Sequence, residues 1–128
     1  MAGAVTGPLL PWPLEGARVV LEAARSDSEV AIVRRADGER TGSVSLERDG
    51  AGAFIVRLCI QDGFRGYGLG SEAARLVLDA TAAAGFTHVR AWAPPDLGLA
   101  VYFWSRMGLR PVHGAGPNGG IELRRDFS

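Results

Sequence analysis

Apolar and polar positions follow two different periods along this chain, and the change of period divides it. From Ser28 to Ile60 the stretch "SEVAIVRRADGERTGSVSLERDGAGAFIVRLCI" holds three β-rich runs. They are separated by Asp37-Gly38 and Asp49-Gly50, dipeptides suited to hairpin turns that need positive φ, so an antiparallel meander is predicted. Its last run, Phe54 to Ile60, is almost continuously apolar, the pattern of a strand covered on both faces. Upstream, "ARVVLEAA" (17–24) fits a strand or a short helix, and β-branched Val19 and Val20 favour the strand. Beyond Ile60 the period lengthens. Leu69, Ala73, Leu76, Val77, Ala80 and Ala84 recur at three- and four-residue spacing while Glu72, Arg75 and Asp79 take the other face, which predicts a helix stopped by Gly85. "THVRAWA" (87–93) reads as a strand ended by Pro94-Pro95, and a second helix is expected from Leu97 to Met107 with Gly108 as its cap. Short strands at 109–113 and 120–127 then flank "HGAGPNGG" (113–120), a hairpin loop. The order predicts an α+β class: a mixed, mostly antiparallel sheet with helices on its faces. The helix between Ile60 and residue 87 implies a right-handed crossover and one locally parallel strand pair.

At 128 residues the chain is expected to form one domain over 1–128, with a Pro/Gly-rich N-terminal segment over 1–16. Fourteen acidic residues balance fourteen basic ones, so no long-range field draws it to nucleic acid or an anionic membrane. Every basic residue is Arg, which removes catalytic-lysine and Schiff-base chemistry. The single cysteine, Cys59, excludes an internal disulfide and is expected to be a buried structural thiol. "GPLLPWPLEG" has no basic residue before its apolar patch and so is not a secretory signal, and no apolar run nears the roughly 20 residues that cross a bilayer, so a cytoplasmic location is expected. No His/Cys/Asp cluster has metal-ligand spacing, and no metal is implied.

The chemistry concentrates in "RGYGLGSEAARLVLDA" (65–80), where Gly66, Gly68 and Gly70 precede the helical pattern at once. A helix start leaves N–H groups unpartnered and partly positive, and bare glycines there give an anion's oxygens direct access, with Arg65 adding a charged donor. The competing reading is a tight turn with close helix packing. A P-loop is rejected because Gly70 is followed by Ser71-Glu72 in a chain without lysine. "GLGSEA" matches the dinucleotide fingerprint, but seven residues separate Ile60 from Gly68 and hairpins come first, so that reading carries little weight.

The succession of strand, "QDGFRGYGLGSEAARLVL", strand and "LGLAVYFWSRMGLRPV" resembles the GNAT family of N-acetyltransferases over about residues 28–113. Arg65 to Gly70 fit the family's acetyl-CoA loop, Q/R-x-x-G-x-G/A, and Ala100, Phe103 and Gly108-Leu109 fit its second motif in outline. "EAARSDSE" leaves no room for the one or two helices the family places between its first two strands, so a shortened N-terminal region is expected. The resemblance implies acetyl-CoA as co-substrate. Its pantetheine arm would enter where two strands splay and bond the main chain near Leu58 and Ile60, and its diphosphate would rest on Arg65, Gly66, Tyr67, Gly68, Leu69, Gly70 and Ser71. It further implies direct attack of an amine, on a small molecule or a peptide, at the thioester.

Two positions depart from the family pattern. Leu97 stands where the family often has Asn, and Trp104 where it often has a Tyr able to protonate the departing thiolate. Indole N–H is not an acid near neutral pH, so Trp104 does not replace it. Tyr102 lies about 200° around the helix and is expected to be a packing aromatic, while Ser105 is nearer the required face. Glu47, Asp62 and Asp96 are weighed as bases but read as solvated carboxylates, and His88 and His113 as structural. These departures keep a second reading open, a non-catalytic acyl-CoA sensor or partner module. A homodimer through the sheet surface left by the missing helices is a third expectation.

Overall fold

The two Asp-Gly dipeptides turn the chain as expected. In the computed structural model, which describes residues 8–23, 27–94, 98–112 and 120–127, three long antiparallel strands follow one another: β3 (Val30–Arg34), β4 (Arg40–Asp49) and β5 (Gly52–Ile60). They are preceded by β1 (Leu14–Glu15) and β2 (Val19–Ala23), with no helix in the described residues before β5. A 3₁₀ turn (Asp62–Phe64) leads into α1 (Leu69–Ala83), followed by β6 (His88–Ala93), α2 (Gly98–Arg106), β7 (Arg110–Pro111) and β8 (Ile121–Asp126). One sheet contains all eight strands in the order β1-β2-β3-β4-β5-β6-β8-β7. Among the described residues, β5 and β6 are its only parallel neighbours. The loop expected at 113–120 lies outside the described residues except for Gly120.

Both helices lie on the same face of the sheet. Chain connections β5–α1–β6 and β6–α2–β7 link parallel strands and advance across the sheet in one direction, and right-handed crossovers of that kind place their helices together. Contacts agree: Gly70 of α1 abuts Leu58 and Ile60, and Arg125, opposite Val89, donates to the carbonyl of Met107 at the end of α2. The expected mixed, mostly antiparallel sheet flanked by helices is present, with α1 and α2 sharing one face. Beneath the helices a single core joins Leu21, Ile32, Val44, Ile55, Val77 and Leu123. The other face carries Ser43, Ser45, Arg57, Arg90, Glu122 and Arg124, because cross-strand partners share a face. These side chains are compatible with water.

Three expectations need correction. Leu69, Ala73 and Val77 of α1 are buried, but Ala74, Leu78 and Thr81 join them, while Ala84 is exposed. Apolar residues occur on so many sides of this alanine-rich helix that spacing alone does not choose the buried one. The end of β5 is not covered on both faces: Arg57 is exposed and Leu58, Cys59 and Ile60 are half-buried, so Cys59 is not a buried thiol. Tyr102 is 62% exposed, with the Arg106 guanidinium over its ring at 5.7 Å, and is no packing aromatic. Among the described residues no helix is long and apolar enough to cross a membrane.

Candidate functional site

Strands β5 and β6 part company almost as soon as they meet. Their ladder consists of Ala53↔Val89, Phe54↔Arg90 and Ile55↔Ala91. Past Ile55, among the described residues, β5 is paired on its β4 side alone, out to Gly42↔Ile60. The N–H of Gln61 donates to Thr41 O at 2.8 Å, so Gln61 and, two residues back, Cys59 turn their main-chain groups toward β4. Leu58 and Ile60 therefore turn theirs into the opening. Arg65 Nε closes one of them, donating to Ile60 O at 3.0 Å. The N–H groups of Leu58 and Ile60 and the carbonyl of Leu58 are left facing the gap.

The glycine loop sits at the mouth of this gap. Gly66 and Gly68 hold φ of 89° and 77°, a left-handed backbone that side chains disfavour. Gly70 serves a different purpose: a Cβ there would stand 3.3 Å from Ile60 Cγ1 and 3.7 Å from Leu58 Cδ2, so its absence lets α1 settle onto the end of β5. The turn-and-packing reading thus accounts for all three glycines. It also leaves the main chain bare. Among the described residues, none of the N–H groups from Gly66 to Ser71 has an acceptor, and Gly68 at the N-cap provides no side-chain cap. Such a cluster of donors at a helix start suits an anion. Arg65 is less available than expected, since it also meets Asp62 at 3.4 Å.

Two residues that sequence reasoning passed over hold this loop. Arg18, at the entry to β2, donates from Nη1 to Tyr67 O at 2.7 Å and from Nη2 to Gly68 O at 3.4 Å. Its Nε donates to Glu72 Oε1 at 3.0 Å. Glu72, expected on the solvent face of α1, reaches back instead, and its Oε2 accepts the N–H of Arg18 at 2.6 Å and of Val19 at 2.9 Å. Burial pushes the Glu72 carboxyl up, but the two main-chain N–H groups and the Arg18 guanidinium together outweigh it and hold the group below its ordinary value. Beside the pair is a cavity of about 500 Å³ lined by Arg18, Arg34, Arg35, Tyr67 and Leu69. Partners 54 residues apart leave no local spacing signal, and only the place of Glu72 in the first helical turn hinted at a role.

The expected acids and bases are scattered. Trp104 is 5% exposed and packed edge-on against Phe103, with ring centroids 4.9 Å apart. Ser105 is exposed on α2. Glu47 lies within β4 rather than after it and is exposed, as is Asp62. His88 has Nε2 3.1 Å from Asp49 Oδ2. Arg90 joins that cluster, donating to Asp49 Oδ2 and to Glu122 Oε1 at 2.6 Å each. The hydrogen bonds from Arg90 and then His88 hold the Asp49 carboxyl below its ordinary value, and the Arg90 guanidinium is raised by the same bond to Asp49. This network braces the start of β6, away from the gap. Asp96, Leu97 and His113 lie outside the described residues.

Residues 5–109 match the family model described as "Acetyltransferase (GNAT) family". No curated protein matches the chain. Among solved structures it resembles Ard1 from Thermoplasma volcanium, at 17% identity and a TM-score of 0.67 over 79% of this chain and 71% of that one. Arabidopsis thaliana Naa50, in complex with the bisubstrate analogue CoA-Ac-MVNAL, is 17% identical with a TM-score of 0.64 over 79% and 74%. The ribosomal-protein-S18-alanine N-acetyltransferase from Escherichia coli is 11% identical with a TM-score of 0.66 over 89% and 72%.

Proposed function

The chain belongs to the GNAT acetyltransferase family, and from that premise we propose that it transfers an acetyl group from acetyl-CoA to the amine of a peptide or a small molecule. The observation that carries this reading is the juxtaposition of two unpaired sets of main-chain groups. One is the run of free N–H groups from Gly66 to Ser71, and the other is the bare edge of β5 at Leu58 and Ile60 beside the gap. The first set fits a diphosphate and the second fits a chain of amides that docks as an added strand would. Each exposed helix-terminus contact contributes about 0.3 to 1 kcal/mol, so useful affinity needs several, and the loop provides them. Arg65 donates to Ile60 O on that edge, and Tyr67 and Leu69 line the adjoining cavity beside Arg18.

When bound, acetyl-CoA supplies an acyl thioester open to direct attack by an amine, with no acyl group passing through the enzyme. The chain's part is to fix that carbonyl and polarise it, with the N–H of Ile60 or Leu58 as the donor in the gap. Nucleophilic approach is then left to the helix-free face, because α1 and α2 occupy the other. The peptide of the Naa50 analogue and the S18-alanine named for the bacterial enzyme favour a peptide amine as acceptor. Calorimetry with acetyl-CoA tests the reading at its root. Binding at micromolar to millimolar ligand is expected, and none at millimolar ligand removes it.

One observation favours a second reading, that of an acyl-CoA-binding module without turnover. Trp104 is buried in the core at the place where the family often carries its acid, and Tyr102 points into solvent. A missing general acid lowers rate by about 10²- to 10⁴-fold without preventing binding. Thiol release against a panel of amines separates the two, since substantial release with any amine rules out the module.

A further inference from the structure

We infer that Arg18 and Glu72 form a clamp that aims the main-chain N–H groups of the glycine loop, and so act as positioning residues for coenzyme binding. This rests on the diphosphate reading of that loop. A trans peptide is planar, so the C=O of one residue and the N–H of the next point in opposite directions. Arg18 draws the carbonyls of Tyr67 and Gly68 toward itself. The N–H groups of Gly68 and Leu69 are thereby turned away from Arg18, outward from the helix start. In a loop whose two positive-φ glycines would otherwise sample many conformations, those bonds select one. Glu72 supplies the anchorage. Its carboxylate binds the main chain of Arg18 and Val19 as well as the Arg18 side chain, which ties the entry of β2 to the first turn of α1. Guanidinium and carboxylate are 55% and 16% exposed, so the inner half of the clamp is shielded while its outer half lies beside the loop.

Electrostatics and positioning disagree about Glu72, and the disagreement makes the inference testable. Glu72 is a negative charge in the first turn of the helix that would receive a diphosphate. If charge alone mattered, its removal would tighten coenzyme A. If the clamp matters, removal loosens the loop and weakens binding. The experiment is calorimetry of coenzyme A with the parent, Arg18→Met, Glu72→Gln and Glu72→Ala. The expected result is about tenfold weaker binding for Arg18→Met and Glu72→Ala, equivalent to roughly 1.4 kcal/mol. Glu72→Gln, which keeps an oxygen for the two main-chain N–H groups, should fall between. Asp49→Asn, in the network at the start of β6, is the control: it lowers melting temperature but leaves coenzyme affinity unchanged. Amide chemical shifts of the free protein give a second readout, and Arg18→Met should move those from Gly66 to Ser71 above all others. Coenzyme A held by Glu72→Ala as tightly as by the parent, or more tightly, overturns the clamp while leaving the diphosphate reading intact. A parent that does not bind coenzyme A at all overturns that reading instead, and the clamp's purpose with it.

Discussion

Alanine at Gly68 and at Gly70, two residues apart, should move stability in opposite directions. At Gly68 the backbone has φ 77° and ψ 11°. A Cβ in that region costs roughly 1–2 kcal/mol. The smaller conformational freedom of alanine in the unfolded chain returns about 0.4–1 kcal/mol, leaving a net loss of about 1 kcal/mol. The added Cβ would also stand 3.1 Å from Arg18 Nη2, the free end of a long side chain that can move aside, and the bond disturbed is the long one to Gly68 O at 3.4 Å. Gly70 lies inside α1, where alanine is better than glycine by about 0.5–1 kcal/mol. Against that stands the 3.3 Å approach to Ile60 Cγ1, and Ile60 is half-buried beside an opening into which it can shift. A net gain of about 0.5 kcal/mol is therefore expected, from the upper part of that helical range less a small displacement. Urea denaturation measures both. With an m-value of about 1–3 kcal/mol/M, the Gly68→Ala midpoint should fall by roughly 0.3–1 M and the Gly70→Ala midpoint should rise slightly, at constant m. Gly68→Asn should recover part of the loss, because asparagine tolerates the left-handed region. A Gly68→Ala protein as stable as the parent would refute the argument that this turn requires a glycine, and a loss above about 1 kcal/mol for Gly70→Ala would show that the seat of α1 on β5 does not yield.

Other expectations follow from burial and charge. Because the folded Glu72 carboxyl lies below its ordinary 4.5, the stability it contributes is complete above that pH and is lost as pH falls through the lower folded value. The melting-temperature gap between the parent and Glu72→Gln should therefore narrow in that acid range, and a gap that widens there contradicts the assignment. Trp104→Ala should cost about 3–5 kcal/mol by denaturation, and Tyr102→Ala less than about 0.5 kcal/mol, matching the contrast in their exposure. Similar losses for the two would mean that α2 is turned differently on the sheet. The His88 ring occupies the space a Cβ would need at Gly52, so Gly52→Ala should lose about 1–3 kcal/mol. Combining it with His88→Ala should cost less than the sum of the two single changes, and strict additivity would separate the pair.

Local chemistry made much of the fold legible. Asp37-Gly38 and Asp49-Gly50 marked both hairpins, Gly85 marked the end of α1, and the glycine loop marked its start. The crossover to a parallel β6 followed from the helix between two apolar runs. Relations between distant segments were not legible. That both helices share a face depends on β8 inserting between β6 and β7, a choice of neighbours that no local pattern encodes. The end of β5 reads as a buried strand because its apolar residues are real, but Leu58 and Ile60 line an opening rather than fill a core. At the loop, Gly66, Gly68 and Gly70 were visible as a feature with two explanations. Their torsions and contacts account for the turn and the packing, and the same geometry frees the N–H groups. Arg18 and Glu72 escaped notice because each looks ordinary in its own element, an arginine before a strand and a glutamate on a helix. Only tertiary structure brings them to one loop.

The hydrogen-bonded sheet runs unbroken from edge to edge, yet its strength is uneven. Eight residue pairs join β4 to β5 and six join β6 to β8, but between those ladders only three connect β5 to β6. The molecule is in effect two stiff leaves, β1 to β5 on one side and β6, β8 and β7 on the other, stitched along a short crease. α1 packs across the crease, on β2 and β5 of one leaf and on β6 of the other. A guest lodged in the crease as a strand would add main-chain hydrogen bonds where the ladder between the leaves stops, and so would bridge both of them.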